Sequence, residues 1–180
     1  MPRFATYASP LGELAMLVDN ACLVELSLPG ATSTAARAPG LRPAPEGHPV
    51  VRLVASWLDA YFAGEDPDPD GVPLSVAGTP YQQRVWNRVK DIPYGEVASY
   101  GEIGATIDPP STGHAVGGAV ARCPFSLVVP CHRVIASDGT LGGFGGIEAM
   151  KARLLAFEGF DLGLIKGLRP DLQRGTEPRR

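Results

Sequence analysis

The sequence predicts an α+β chain, with a small antiparallel-sheet N-terminal domain followed by a mainly helical C-terminal domain. Three observations carry this. Residues 11–28 alternate apolar and polar positions, the period of a half-buried strand. Two capping-box patterns, Thr79 with Gln82 and Ser99 with Glu102, open helical stripes further along. Two short helical stretches, within 99–107 and 113–123, flank the break "DPPST" and resemble a helix-turn-helix, a weak signal alone because most such pairs merely pack.

The elements follow in order. "LGELAMLVDN" and "CLVELSL" read as strands, with Asp19-Asn20 as the turn between them and Cys22 in the core. Residues 29–49 are small, polar and proline-rich, an exposed loop. From 50 to 62, Val50, Leu53, Val54, Trp57, Leu58 and Tyr61 share one helical face. The acidic, proline-broken "AGEDPDPDGVP" is a linker, which sets the N-terminal domain at 1–75. The second domain, 76–165, starts with a helix capped by Thr79 and led by Pro80. Its stripe is Tyr81, Val85, Val89 and Ile92, and Pro93 stops it. Tyr100, Ile103 and Ile107 line the next helix, and "GHAVGGAVARC" forms an Ala- and Gly-rich one. Residues 127–135 are extended or loop-like, and Ser137-Asp138-Gly139 turns the chain. The last helix points Ile147, Met150, Leu154 and Phe157 inward, and Gly159 suits its C-terminal cap. The stretch 166–180 reads as a polar, frayed tail.

Composition narrows the function. A chain of 180 residues that is 44% hydrophobic and 19% charged is ordinary for a globular protein. The net charge of -3 gives no global basic field, which weakens a nucleic-acid partner without excluding one. No apolar run approaches the roughly 20 residues that span a bilayer, so no membrane partner is expected. The 3 cysteines give no disulfide framework and fit a reducing cytoplasm. No CxxC is present, and His48, His114 and His132 are far apart, so neither metal nor cofactor is expected.

The chemistry concentrates in "VVPCHRVIASDGTLGGFGG", residues 128–146. Thiolate is the nucleophilic form of cysteine, and the charges of His132 or Arg133 beside Cys131 favour it. Neighbours on an extended strand point to opposite sides. Unless the backbone turns there, a water between Cys131 and His132 is the better relay, with Glu158 as the carboxylate that orients the imidazole. The plainer reading of Cys131 is a small apolar filler.

The longer string "VVPCHRVIASDGTLGGFGGIEAMKARLLAFEG" closely resembles the active-site segment of the O6-alkylguanine-DNA alkyltransferases, the methylated-DNA–protein-cysteine methyltransferases. The resemblance extends through "TPYQQRVWNRVKDIPYGEVASYGEIGATI" and "HAVGGAVARCP" and covers most of residues 79–159. It implies direct-reversal repair. A monomer binds duplex DNA through its helix-turn-helix, flips out the damaged guanine, and moves the alkyl group from O6 (or from O4 of thymine) to Cys131, once and irreversibly. Flipping is needed because a side chain cannot reach that carbon inside the stack. By the same resemblance, His132 deprotonates Cys131 through water and Glu158 orients His132. Tyr100 protonates the leaving base, and the Cys131 and Val134 carbonyls receive its amino group. Phe144 and Gly145 cover the pocket. His114, Ala115, Gly117, Gly118, Ala119 and Arg122 lie on the helix that approaches the minor groove, where small residues permit close contact.

Two positions depart from the family pattern. His114 stands where an arginine usually precedes Ala-Val-Gly and fills the space left by the flipped base; histidine is shorter and lacks a fixed charge. Weaker flipping, another lesion preference and help from Arg122 are all open. Cys123 stands where an asparagine usually ties the recognition helix to the active-site loop, and a thiol is a weak donor and acceptor. Three other readings compete: a related binder of alkylated bases that does not repair them, a helix-turn-helix sensor of alkylation, and a thiol hydrolase, which needs a direct Cys–His pair and an oxyanion hole that "PCHRV" does not favour. The first usually replaces the cysteine, which this chain keeps.

Overall fold

The computed structural model describes residues 1–32, 40–75 and 78–174. The chain forms two compact units, one of Met1–Ala77 with Pro124–Val128, the other of Gly78–Cys123 with Val129–Arg180. Residues 33–39 of the expected loop and 175–180 of the expected tail lie outside the described residues.

In the first unit, β1 (Arg3–Ser9), β2 (Gly12–Val18) and β3 (Leu23–Ser27) form an antiparallel meander, and β4 (Arg42–Pro43) pairs parallel to β1. The order is β3-β2-β1-β4. The Asp19 carboxylate builds the β2–β3 turn by accepting the backbone N–H groups of Ala21 and Cys22. Cys22 is therefore a half-buried turn residue rather than a core strand residue. Helix α1 (Pro49–Phe62) buries Val50, Val54, Leu58 and Tyr61. Leu53, expected on that face, is 42% exposed. Residues 124–128 join this unit by pairing with β3: Leu26 N–H donates to Pro124 O, and Ser126 N–H donates to Leu26 O. Phe125 is thereby buried.

The second unit holds the remaining helices. Helix α2 (Pro80–Lys90) begins with both halves of its capping box made: Thr79 Oγ1 accepts from Gln82 N, and Gln82 Oε1 accepts from Thr79 N. The short strand β5 (Ala98–Ser99) leads into α3 (Tyr100–Thr106), whose Ser99–Glu102 box is formed the same way. Helix α4 (Gly113–Val120) is capped by Thr112 and packs on α3. Glycine permits that contact. A Cβ on Gly104 meets the Ser111 carbonyl, and one on Gly113 lies 3.2 Å from Gly101 N. The chain then makes a 3-10 turn at Cys131–Arg133, and β6 (Val134–Ile135) pairs parallel to β5. Helix α5 (Glu148–Phe157) buries more than its expected stripe, with Lys151, Ala152 and Leu155 enclosed beside Met150 and Leu154.

The expected frayed tail from Lys166 is partly ordered. Leu168 joins the buried cluster of Leu141, Ala152, Leu155, Leu162 and Ile165, Leu172 packs against it, and α6 (Pro170–Arg174) closes the described chain. Apolar residues at 168 and 172 have a core to cover, and that outweighs the polar character of the segment.

Candidate active site

The site starts from the turn at residues 131–133. Within the segment expected to be extended or loop-like, the backbone turns in 3-10 geometry, and Cys131, His132 and Arg133 are all buried. His132 reaches Glu158, with Nε2 2.6 Å from Oε1, and both side chains are essentially free of solvent contact. Arg133 binds the same carboxylate in a fork, Nε to Oε2 at 2.9 Å and Nη2 to Oε1 at 3.1 Å. Its Nη1 donates to the Ile92 carbonyl at 2.6 Å, and its guanidinium covers the Tyr94 ring. Gly95 N also donates to Glu158. A buried charge needs such partners. Glu158 sits at the C-terminus of α5, a position the helix dipole disfavours for an anion, so the arginine matters more.

The protonation states follow. Burial opposes ionisation of Glu158, but the hydrogen bonds and charge of His132 and Arg133 outweigh it and hold the carboxyl near about 2. Burial pulls the His132 imidazole down, against the pull of Glu158, so the ring is neutral near pH 7. With the carboxylate ionised, Nε2 carries the proton and Nδ1 presents a lone pair. The interaction with the Cys123 thiol, then burial, pushes the Cys131 thiol well above its ordinary range, and the Lys151 ammonium pulls the other way. Cys131 therefore rests as a thiol and needs a base. Burial, and then the Cys131 charge, raises the Tyr100 phenol, which stays a proton donor.

Lys151 is the residue the sequence reading missed. It is fully buried, and its Nζ donates to the Val134 carbonyl at 2.6 Å and to Gly143 O at 3.4 Å. It lies between the rings of Tyr100 and Phe144, 6.0 and 5.7 Å from their centroids. Burial lowers it to about 8. The Val134 carbonyl, expected to receive the base, already holds this ammonium, although a carbonyl oxygen has a second lone pair. The available signal was position: Lys151 lies four residues from both Ile147 and Leu155, on the buried side of α5. Arg133 was read only as a neighbour of Cys131, whereas its side chain belongs to Glu158.

The remaining candidates divide by exposure. Tyr100, Gly113, His114, Gly117, Gly118, Ala136 and Ser137 line one surface groove of about 430 Å³. His114 and Arg122 are exposed and Ala115 is half-buried. Arg122 folds back along α4, its Nη1 2.8 Å from the Gly118 carbonyl. Ala119 is only 3% exposed, and its carbonyl accepts the Trp86 indole N–H, so it packs inward. Phe144 is half-buried and Gly145 exposed, on a loop pinned where Glu148 Oε1 accepts the N–H groups of Phe144 and Gly146. Among the described residues no three His, Cys, Asp or Glu side chains gather as a metal site.

Residues 80–160 match the family model for the DNA-binding domain of 6-O-methylguanine DNA methyltransferase. A methylated-DNA–protein-cysteine methyltransferase of Haemophilus influenzae is 34% identical over 179 residues, 97% of this chain and 90% of that one. The chain belongs to the methylated-DNA–protein-cysteine methyltransferase family. A DNA base-flipping protein of Thermus thermophilus is 46% identical over 124 residues, 67% of this chain and 83% of that protein. The crystal structure of Mycobacterium tuberculosis OGT in complex with DNA superposes with a TM-score of 0.73, at 39% identity, covering 87% of this chain and 92% of that one.

Proposed function

We propose that this protein repairs duplex DNA by direct reversal, moving the alkyl group from O6 of guanine to Cys131 in a single turnover. The observation that carries the reading is the neutral, carboxylate-oriented His132 next to a buried thiol that cannot ionise unaided. His132 Nδ1 takes the Cys131 proton through a water. The Cys131 sulfur then attacks the alkyl carbon. The C–O6 bond breaks, its electron pair stays with the base, and Tyr100 donates a proton to the base as it leaves. The product is an S-alkylcysteine, a stable thioether, so the protein is consumed.

The helix α4 groove supports binding of DNA with one nucleotide turned out. Added Cβ atoms on Gly117 and Gly118 meet only Tyr100 at 3.9 Å and Arg122 at 3.5 Å, ordinary contacts. Folding therefore does not demand glycine there, whereas close approach of a second molecule does. His114 is the residue placed to fill the gap in the stack. The protein acts as a monomer in a reducing cytoplasm; a reaction that consumes a free thiol supports that compartment. No helix among the described residues is long and apolar enough to cross a membrane.

The second reading, a base-flipping protein without transfer, is favoured by the Thermus thermophilus relative. Cys131 separates the two. Cys131→Ala abolishes alkyl transfer and keeps binding to O6-methylguanine duplex. If the wild-type protein binds that duplex and leaves the lesion intact, the base-flipping reading stands instead.

A further inference from the structure

The loop "GGFGG", residues 142–146, lies against Tyr100 and has little packing of its own. Its base is packed: a Cβ on Gly142 lies 3.3 Å from Tyr100 Cε2 and 3.5 Å from Tyr100 Oη. Its tip is not: a Cβ on Gly143, Gly145 or Gly146 meets nothing within 4 Å. Glycine loses more freedom than any other residue when it is fixed, so the conformation of this loop depends on the bonds made to it.

Helix α5 supplies those bonds. Glu148 and Lys151 are three residues apart and share a face of the helix. Glu148 Oε1 accepts Phe144 N at 2.9 Å and Gly146 N at 3.1 Å. Lys151 Nζ donates to Gly143 O at 3.4 Å. Gly143 O and Phe144 N are the two polar ends of one peptide group, which is planar and rigid. Helix α5 therefore grips that peptide at both ends, and the carboxylate makes the shorter contact. The grip fixes the direction in which the Phe144 side chain leaves the loop, and its ring lies 5.7 Å from the same Nζ. That Nζ also donates to the carbonyl of Val134 at 2.6 Å, on the strand that follows the acceptor turn.

We propose that Glu148 is a positioning residue for alkyl transfer: by holding the Phe144 and Gly146 N–H groups, its carboxylate keeps the glycine loop assembled against Tyr100 before the damaged base arrives. This role rests on the alkyl-transfer reading. Without the two bonds, the loop must be ordered each time a flipped base enters, and that cost lowers the fraction of bound complexes ready to react. Encounter with the duplex belongs to α4 and does not involve Glu148. The loss therefore falls on the limiting rate of transfer, and duplex affinity stays the same.

Two variants separate the bonds from the charge. Glu148→Gln loses the charge and keeps an oxygen that can accept both N–H groups. Glu148→Asp keeps the charge at the start of α5, where the helix dipole favours it, but is one methylene short of the loop. Amide exchange by NMR at Phe144 and Gly146 reads the bonds with no substrate present. Single-turnover transfer from an O6-methylguanine duplex, followed over a range of duplex concentrations, reads the role. The expected result is faster exchange at both amides in Glu148→Asp and protection close to wild type in Glu148→Gln. The limiting transfer rate of Glu148→Asp falls about tenfold, as loss of two hydrogen bonds implies, and Glu148→Gln recovers it. The half-saturating duplex concentration and the final extent of methylation keep their wild-type values, whereas partial unfolding would lower the extent and leave the rate. Unchanged exchange or an unchanged rate in Glu148→Asp would overturn the proposal. So would equal losses in both variants, which assign the effect to charge, or a loss of duplex affinity in place of rate. If Glu148→Asp does not fold, the wild-type spectrum decides, because unprotected Phe144 and Gly146 amides refute the bonds. Wild-type protein that leaves the lesion intact refutes the alkyl-transfer reading, whatever the amides show.

Discussion

Gly117 and Gly118 separate the needs of folding from those of DNA binding. Both lie inside α4, and neither has a positive φ, so alanine fits the backbone. The added methyls meet Tyr100 carbons at 3.9 Å and Arg122 Nη1 at 3.5 Å, without a clash. Each replacement restores about 1 kcal/mol of helix propensity. In a chain of this size, each such increment raises Tm by about 2–4 °C. Against DNA the same methyls intrude on a packed interface, at a cost of about 1–3 kcal/mol, which is a rise in Kd of roughly five- to 150-fold. Thermal denaturation and fluorescence anisotropy on an O6-methylguanine duplex read the two effects for Gly117→Ala/Gly118→Ala. The expected outcome is a higher Tm with weaker binding. A lower Tm would show that the glycines serve the fold. Unchanged binding would remove α4 from the DNA interface.

Three other outcomes follow from the site. Glu158→Gln leaves Arg133 and His132 buried without their carboxylate, so urea unfolding should show a loss of about 3–5 kcal/mol, with slower transfer in the protein that still folds. Glu158 is also an acid-sensitive contact, because its carboxyl titrates at about 2 in the folded protein against 4.5 ordinarily. Its contribution is complete above pH 4.5. It is lost as the pH falls toward 2, where the unfolded chain has taken up the proton and the folded one is only beginning to. The loss is about 3 kcal/mol, read as a falling urea midpoint across that window. His114→Ala should slow repair of duplex DNA while a free O6-alkylguanine base still reacts with Cys131; equal losses on both would place His114 in the chemistry instead.

The local signals in the sequence were strong where backbone chemistry decides the structure. Thr79–Gln82 and Ser99–Glu102 are short-range patterns, and both form the bonds that their residue types imply. The Cys131–His132–Glu158 constellation was legible only through the resemblance, since the pair that touches is 26 residues apart. What stayed hidden was tertiary. Lysine and arginine read as solvent-facing, yet Lys151 and Arg133 are buried because carbonyls and a carboxylate receive them. The apolar residues at 168 and 172 looked isolated until the Leu155 and Leu162 cluster gave them a surface. Ala119 and Gly118 are adjacent and chemically alike, and only the helix rotation sends one inward.

The central claim is that Cys131 takes the alkyl group from DNA. Its most direct test is the intact mass and peptide map of the reduced protein after incubation with a duplex carrying one O6-methylguanine. A gain of a single methyl group confined to the peptide that contains Cys131, with the guanine restored in the DNA, is the predicted result. An unmodified protein bound to a duplex that keeps its lesion would contradict it.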